Sequence, residues 1–232
     1  MTLLEKILPS TKLTKLFNLK AANFKQDPNI NLQNSIFQRI FNSASPVFVI
    51  KDPQSLSTLK NSIHEHFDSC NIIEISFKDG IDTASQTASL LSLGEKLKQL
   101  VEETEKCIKH NYRFSFLLKR LSKRHKYYRD NIEQIKNLNL ETFSIDCYKV
   151  IVQHAIIRIT MLLHYYTEKD VVIIIEDYDQ VFKDPNLGQE IKDLFYGMIL
   201  SGIFTNNYLT KGVLSSSDSF EDERIFDSVV QL

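Results

Sequence analysis

The sequence predicts an α/β fold, a parallel sheet in a three-layer core that carries a large helical insertion. Three observations lead there. Apolar runs at Val47–Ile50, Ile72–Phe77, Val171–Ile175 and Tyr208–Leu214 read as strands buried on both faces, the habit of parallel sheets; the last run is the weakest. Helical periodicity fills the gaps between these runs, and strands alternating with helices imply right-handed crossovers. The connection from the second strand to the third, Asp79 to Asp170, is roughly ninety residues long, more than one covering helix requires.

The elements follow in order. Asn34–Phe41 reads as a helix before the first strand. Ser55–Phe67 follows that strand, with Leu56, Leu59, Ile63 and Phe67 recurring at three- and four-residue steps. Beyond the second strand, Leu90, Leu93, Leu97, Leu100, Val101 and Ile108 line one face of a long helix. A second helix runs from about Phe114 to Leu138 and a third from about Thr142 to Tyr166, which leads into the strand at Val171. Asp184-Pro185-Asn186-Leu187-Gly188 reads as a loop. Gln189–Leu200 then resumes an amphipathic helix, and Ser215-Ser216-Ser217-Asp218 closes the sheet's carboxyl edge as a loop. The chain is thus expected to form one domain over 1–232, with the helical insertion at 83–168.

Composition narrows the function classes. With 232 residues, 43% of them hydrophobic and 25% charged, and a formal charge of -1, the chain has material for a sizeable core and none of the bias of a disordered segment. No apolar run approaches the length of a membrane span. The first ten residues lack the apolar stretch of a secretory signal, so an intracellular protein is expected, cytoplasmic rather than nuclear. Cys70, Cys107 and Cys147 stand far apart without metal-ligand spacing and read as buried thiols. His64, His66, His154 and His164 form no metal set with neighbouring acids, and no metal site is expected.

Two constellations carry the chemical argument. The first is Val171-Val172-Ile173-Ile174-Ile175-Glu176-Asp177-Tyr178-Asp179, a buried strand ending in carboxylates. A nucleotide-hydrolysing domain places such acids on magnesium and on the attacking water, so Glu176, Asp177 and Asp179 are the candidate acids; such acids also cap strands and hold the following turn. The phosphate-cradling loop that should accompany them is missing. Such a loop needs glycine and lysine after the first strand, yet the first glycine is Gly80, and the turn reads Lys51-Asp52-Pro53-Gln54-Ser55-Leu56-Ser57-Thr58-Leu59-Lys60. Ser55, Ser57 and Thr58 can cap the following helix, whose N-terminus keeps some anion affinity, so at most weak nucleotide binding and no efficient hydrolysis is expected. No cofactor is expected, with ATP and magnesium as the alternative.

These residues resemble the AAA-ATPase-like family of P-loop proteins often found fused to a PD-(D/E)XK-type nuclease domain. In that family the acidic strand reads roughly Leu-Ile-Asp-Glu-Tyr-Asp, against Ile-Ile-Glu-Asp-Tyr-Asp at 174–179 here. Leu194-Phe195-Tyr196-Gly197-Met198 and Leu209-Thr210-Lys211-Gly212-Val213-Leu214 are similar to its aromatic-rich helix and following strand. Ile75–Asp79, and Ile36–Ile40 with Val47–Ile50, are similar to its second strand and to its opening helix and first strand. The resemblance implies a P-loop core whose Arg-Pro-Arg-Arg-Phe-Gly-Lys-Ser/Thr loop has degenerated to Pro53 with Ser57 and Thr58, in other words a pseudo-ATPase. No nuclease activity is implied. The helical insertion lies outside the likeness.

The second constellation lies in that insertion. Between residues 109 and 129 stand Lys109, Arg113, Lys119, Arg120, Lys123, Arg124, Lys126 and Arg129, with no acid among them. The rest of the chain then holds 20 basic and 29 acidic residues, a balance of -9, so the near-zero total conceals a polarised molecule. Tyr112, Phe114, Phe116, Tyr127 and Tyr128 interleave with the cations, as expected where phosphates are neutralised and bases are stacked. A solvated helix face with aromatics turned inward gives the same pattern. The function expected is a non-catalytic binding protein that presents a basic helical arm to RNA or a ribonucleoprotein assembly such as the ribosome. The alternatives are an ATP-binding or weakly hydrolysing ATPase, and a protein-interaction module that docks on an acidic protein partner.

Overall fold

The structure, a computed structural model, describes residues 40, 47–51, 53–66, 70–110, 122–167, 169–216 and 230–231. The chain divides into units 1–45 and 46–232. In the first only Ile40, which is helical, is described, so the rest of the expected helix at 34–41 lies outside the described residues. All else concerns the second unit.

Here β1 (Val47–Ile50), α1 (Pro53–His66) and β2 (Cys70–Ser76) come first, then α2 (Gln86–His110), α3 (Ser122–Lys136), α4 (Ile145–Gln153) and α5 (Ala155–Thr167). The chain continues through β3 (Asp170–Glu176), α6 (Asp179–Lys183), α7 (Gln189–Ile199), a π-helical turn (Leu200–Phe204), β4 (Lys211–Ser215) and β5 (Val230–Gln231). The strands are all parallel, in the order β2-β3-β4-β1-β5. The α/β class and the parallel sheet expected from the sequence are therefore present.

Strand parity sorts the two faces of the sheet. Val47, Val49, Ile73, Ile75, Val171, Ile173, Ile175 and Leu214 point into one continuous core shared with Leu90, Leu93 and Leu97 of α2, Ile135 of α3, Ile156 and Ile159 of α5 and Phe195 of α7. The insertion's helices thus pack into the sheet's own core. On the opposite face, Phe48, Ile50, Val172, Ile174 and Val213 are buried, as are Leu56 and Leu59 of α1. Each large side chain hidden in this way contributes about 1.5–3 kcal/mol. Lys211 faces this side too; its ammonium lies 5.4 Å from the centre of the Phe48 ring, and burial pulls its pKa down to about 8.

At two of the points where sequence and structure differ, hydrogen bonds give the reason. The helix expected from Thr142 to Tyr166 is two helices broken at His154. Its N–H still donates to the Val150 carbonyl at 3.3 Å, but the Gln153 carbonyl accepts from the Ser201 hydroxyl, a tertiary contact that stands in for a helical bond. The last strand starts at Lys211 and not at Tyr208, because the N–H groups of Tyr208 and Leu209 donate back to Asn206, at 3.0 Å to its side-chain oxygen and 3.3 Å to its carbonyl. Within the span expected to be helical from Phe114 to Leu138, α3 occupies Ser122–Lys136, and residues 114–121 lie outside the described residues. Cys147, expected to be buried, is an exposed free thiol.

Candidate functional site

At the carboxyl edge of the sheet the three candidate acids have three different surroundings. Glu176 ends β3 on the face covered by α1, and Lys60 of that helix bridges it to Glu74 of β2. The Lys60 ammonium is 2.7 Å from the Glu74 carboxylate and also hydrogen-bonds Glu176. Burial alone would lower the Lys60 pKa, but hydrogen bonds to Glu176 and Glu74 outweigh it and hold the ammonium above its ordinary value. A cation bound by Glu176 would have to displace this ammonium.

Asp179 faces inward. It is fully buried in the first turn of α6, with its carboxylate 2.7 Å from the Lys183 ammonium one turn on. Asp177 lies between the two with φ 51°, in the left-handed region, where Asp and Asn are among the few side chains tolerated. Its N–H donates to the Ser215 hydroxyl at 3.1 Å, and the Tyr178 N–H to the Ser215 carbonyl at 3.2 Å, which pins the turn to β4. Burial, then the negative charges of Asp179 and Glu176, push the Asp177 carboxyl above its ordinary range, with Lys78 opposing. Among the described residues, no group of three or more His, Cys, Asp or Glu is placed to hold a metal ion.

For Asp177, a folded-state pKa above the unfolded one means that the native protein holds this proton more tightly, so a stability penalty grows as pH rises through the raised carboxyl range. Asp177→Asn keeps a residue suited to positive φ and removes the charge. We expect a gain of a few tenths of a kcal/mol at pH 7 that vanishes near pH 3, read by urea unfolding at both pH values. Loss of stability at pH 7 would show that the carboxylate is held by a favourable contact.

The connection after β1 is short. β1 ends at Ile50 and α1 begins at Pro53, leaving Lys51 and Asp52 between them. Pro53 occupies the first helical position, where its missing N–H costs nothing. Ser57 and Thr58 are exposed within the helix, past its first turn.

Of the eight cations, Lys126 and Arg129 are exposed on α3. Lys123 and Arg124 stand in the first turn of that helix and Lys109 near the end of α2. Arg113, Lys119 and Arg120 lie outside the described residues, as do Tyr112, Phe114 and Phe116. The two described aromatics of the stretch part company: Tyr128 is partly buried and packs against the core, while Tyr127 is 60% exposed. Arg158 of α5, which the sequence reading missed, belongs to the same surface. Its guanidinium donates to Gln134 of α3 at 2.9 Å, and burial holds its pKa below the usual value. No signal in the sequence joins positions 134 and 158, since the packing of α3 on α5 brings them together.

The family model that matches the chain covers this same segment. Residues 82–142 match the Surp module. The match takes in α2, α3 and all eight cations, and covers about a quarter of the 232 residues. It overturns the resemblance to the AAA-ATPase-like family, and with it the reading of the chain as a pseudo-ATPase with a P-loop fold and a degenerate phosphate loop. Most of the described strings that carried that resemblance encode buried strands and the turns after them, a requirement common to parallel sheets, and Leu194–Met198 lies within α7. The segment similar to the Surp module is the one that the resemblance left out. No curated protein and no solved structure matches the chain, and no described helix is long and apolar enough to cross a membrane.

Proposed function

We propose that this chain is a non-catalytic RNA-binding protein whose Surp-like segment contacts RNA, alone or within a ribonucleoprotein. One observation carries the reading: the match at 82–142 encloses the stretch of eight cations without an acid. Surp modules are associated with RNA splicing and with RNA and protein interactions. Lys126 and Arg129 are exposed beside an exposed tyrosine, and phosphate neutralisation by such cations supplies sequence-independent affinity. The α/β sheet serves as the platform that holds the helices in place.

Binding of the purified chain to RNA across a salt series tests this. The fourfold variant Lys119→Gln, Arg120→Gln, Lys123→Gln, Arg124→Gln should bind more weakly and lower the slope of log affinity against log salt by about 2–3, at roughly 0.7 per phosphate contact on a single strand. Absence of RNA affinity, with salt-sensitive capture of an acidic protein instead, would move the reading to a protein-docking module. Magnesium-dependent nucleotide hydrolysis abolished by Glu176→Gln would overturn it in favour of an enzyme.

A further inference from the structure

We infer that Tyr127 is a stacking platform for an unpaired base, so that the RNA taken by this surface is single-stranded rather than duplex; the inference rests on the RNA-binding reading above.

Three observations converge on Tyr127. First, its ring is largely in water although large aromatic surfaces are normally buried, and it is the most exposed of the large hydrophobic residues described, at 60%. Second, it is buttressed. The Tyr127 ring meets Tyr128 edge to face at 5.6 Å and 70°, Tyr128 lies 4.3 Å from Tyr165, and Tyr165 meets Tyr166 at 5.3 Å. This row of four rings runs from solvent into the core, where Tyr166 is buried. A ring held from behind loses little side-chain entropy when a ligand lands on it, and the free face is offered already ordered. Third, its neighbours are cationic. Lys126 and Arg129 flank it in sequence and are exposed, and Lys123 and Arg124 stand one turn before it on α3. Asp130, exposed one turn after it, biases the phosphates toward the amino-terminal end of α3.

Duplex RNA hides its base faces and is read through phosphates and 2′-hydroxyls across a shallow groove, for which an isolated protruding tyrosine has no use. A single strand offers a base face for every phosphate. An aromatic ring within a cationic surface is the arrangement that engages both.

The test compares the full chain on a single-stranded oligouridine and on an RNA duplex of the same length, by fluorescence anisotropy. The single strand should bind more tightly. Tyr127→Ala should weaken it about 5- to 150-fold while leaving the salt slope unchanged, because no charge is lost, and Tyr127→Phe should bind as the parent does. The chain contains no tryptophan, so Tyr127→Trp introduces a sole reporter whose emission oligouridine should quench. Equal affinity for the two RNAs with Tyr127→Ala silent would overturn the stacking role and leave the RNA-binding reading standing. Failure of the parent chain to bind either RNA would overturn both.

Discussion

Gly94→Ala should destabilise this protein by about 2 kcal/mol, although alanine is the better helix former. The exchange in the middle of α2 gains roughly 1 kcal/mol of helix propensity. Against this, a Cβ at position 94 would come within 1.9 Å of the Tyr148 hydroxyl oxygen, 3.0 Å of its Cζ and 3.3 Å of Leu138 Cδ2. Tyr148 is buried, and its hydroxyl donates to the Leu90 carbonyl at 3.1 Å. Burial, with the Glu95 charge adding to it, pushes its pKa up to about 12, so the hydroxyl stays protonated at ordinary pH. The new methyl forces that ring away. Overpacking costs about 1–3 kcal/mol, and a stranded buried hydroxyl a further 1–3. Urea unfolding measures the sum. A double-mutant cycle isolates the cause: Gly94→Ala with Tyr148→Phe should be less destabilised than the two single changes added together, by about 1 kcal/mol. Strict additivity would mean that α2 and α4 separate without the hydroxyl's involvement.

Asp179→Ala is the second large effect, a loss of about 2–4 kcal/mol. Asp179 is the most completely buried of the acids after β3, and its ion pair with Lys183 closes the single full turn of α6. Removing Lys183 instead, as Lys183→Met, leaves a carboxylate without its ammonium in an environment that solvates it poorly. That variant should lose about 2 kcal/mol at pH 7. Asp179→Asn should fall between the parent and Asp179→Ala, because it keeps the shape and some hydrogen-bonding capacity. Circular dichroism at increasing urea, at pH 7, separates the three. If Asp179→Ala proved as stable as the parent, Asp179 would be an acid held in place for some purpose other than folding.

The contrast between these two sites shows what the sequence could carry. The strand at Val47–Ile50 is legible to the residue, and the one at Val171–Ile175 to within a residue at each end, because a strand buried on both faces admits only apolar side chains along its length. The stripe of α2 is legible for the same reason. The break at His154 is not: the apolar periodicity runs straight through it, and the group that takes the Gln153 carbonyl comes from Ser201, 48 positions away. Nor is the two-residue pairing of β5, too short to leave a pattern. The acids after β3 were legible as acids, but their roles were not. Glu176 is matched with Lys60 across 116 positions, and whether a carboxylate faces a cation, the core or the solvent is decided by the packing of α1 and α6. The basic stretch was legible as charge alone; which aromatic faces outward is decided by the contact of α3 with α5.

Strand order also sets a timetable for the growing chain. Val47 pairs with Gly212, so β1 waits about 165 residues for its first neighbour, roughly 10–30 s at the usual pace of synthesis. In that interval β2, the helices that follow and β3 can assemble, while Val47-Phe48-Val49-Ile50 remains an apolar ribbon with both edges unsatisfied, a template for mispairing with another nascent chain. Fast translation or crowded expression should therefore penalise this protein more than its equilibrium stability suggests, and slower synthesis at low temperature should recover it in soluble form.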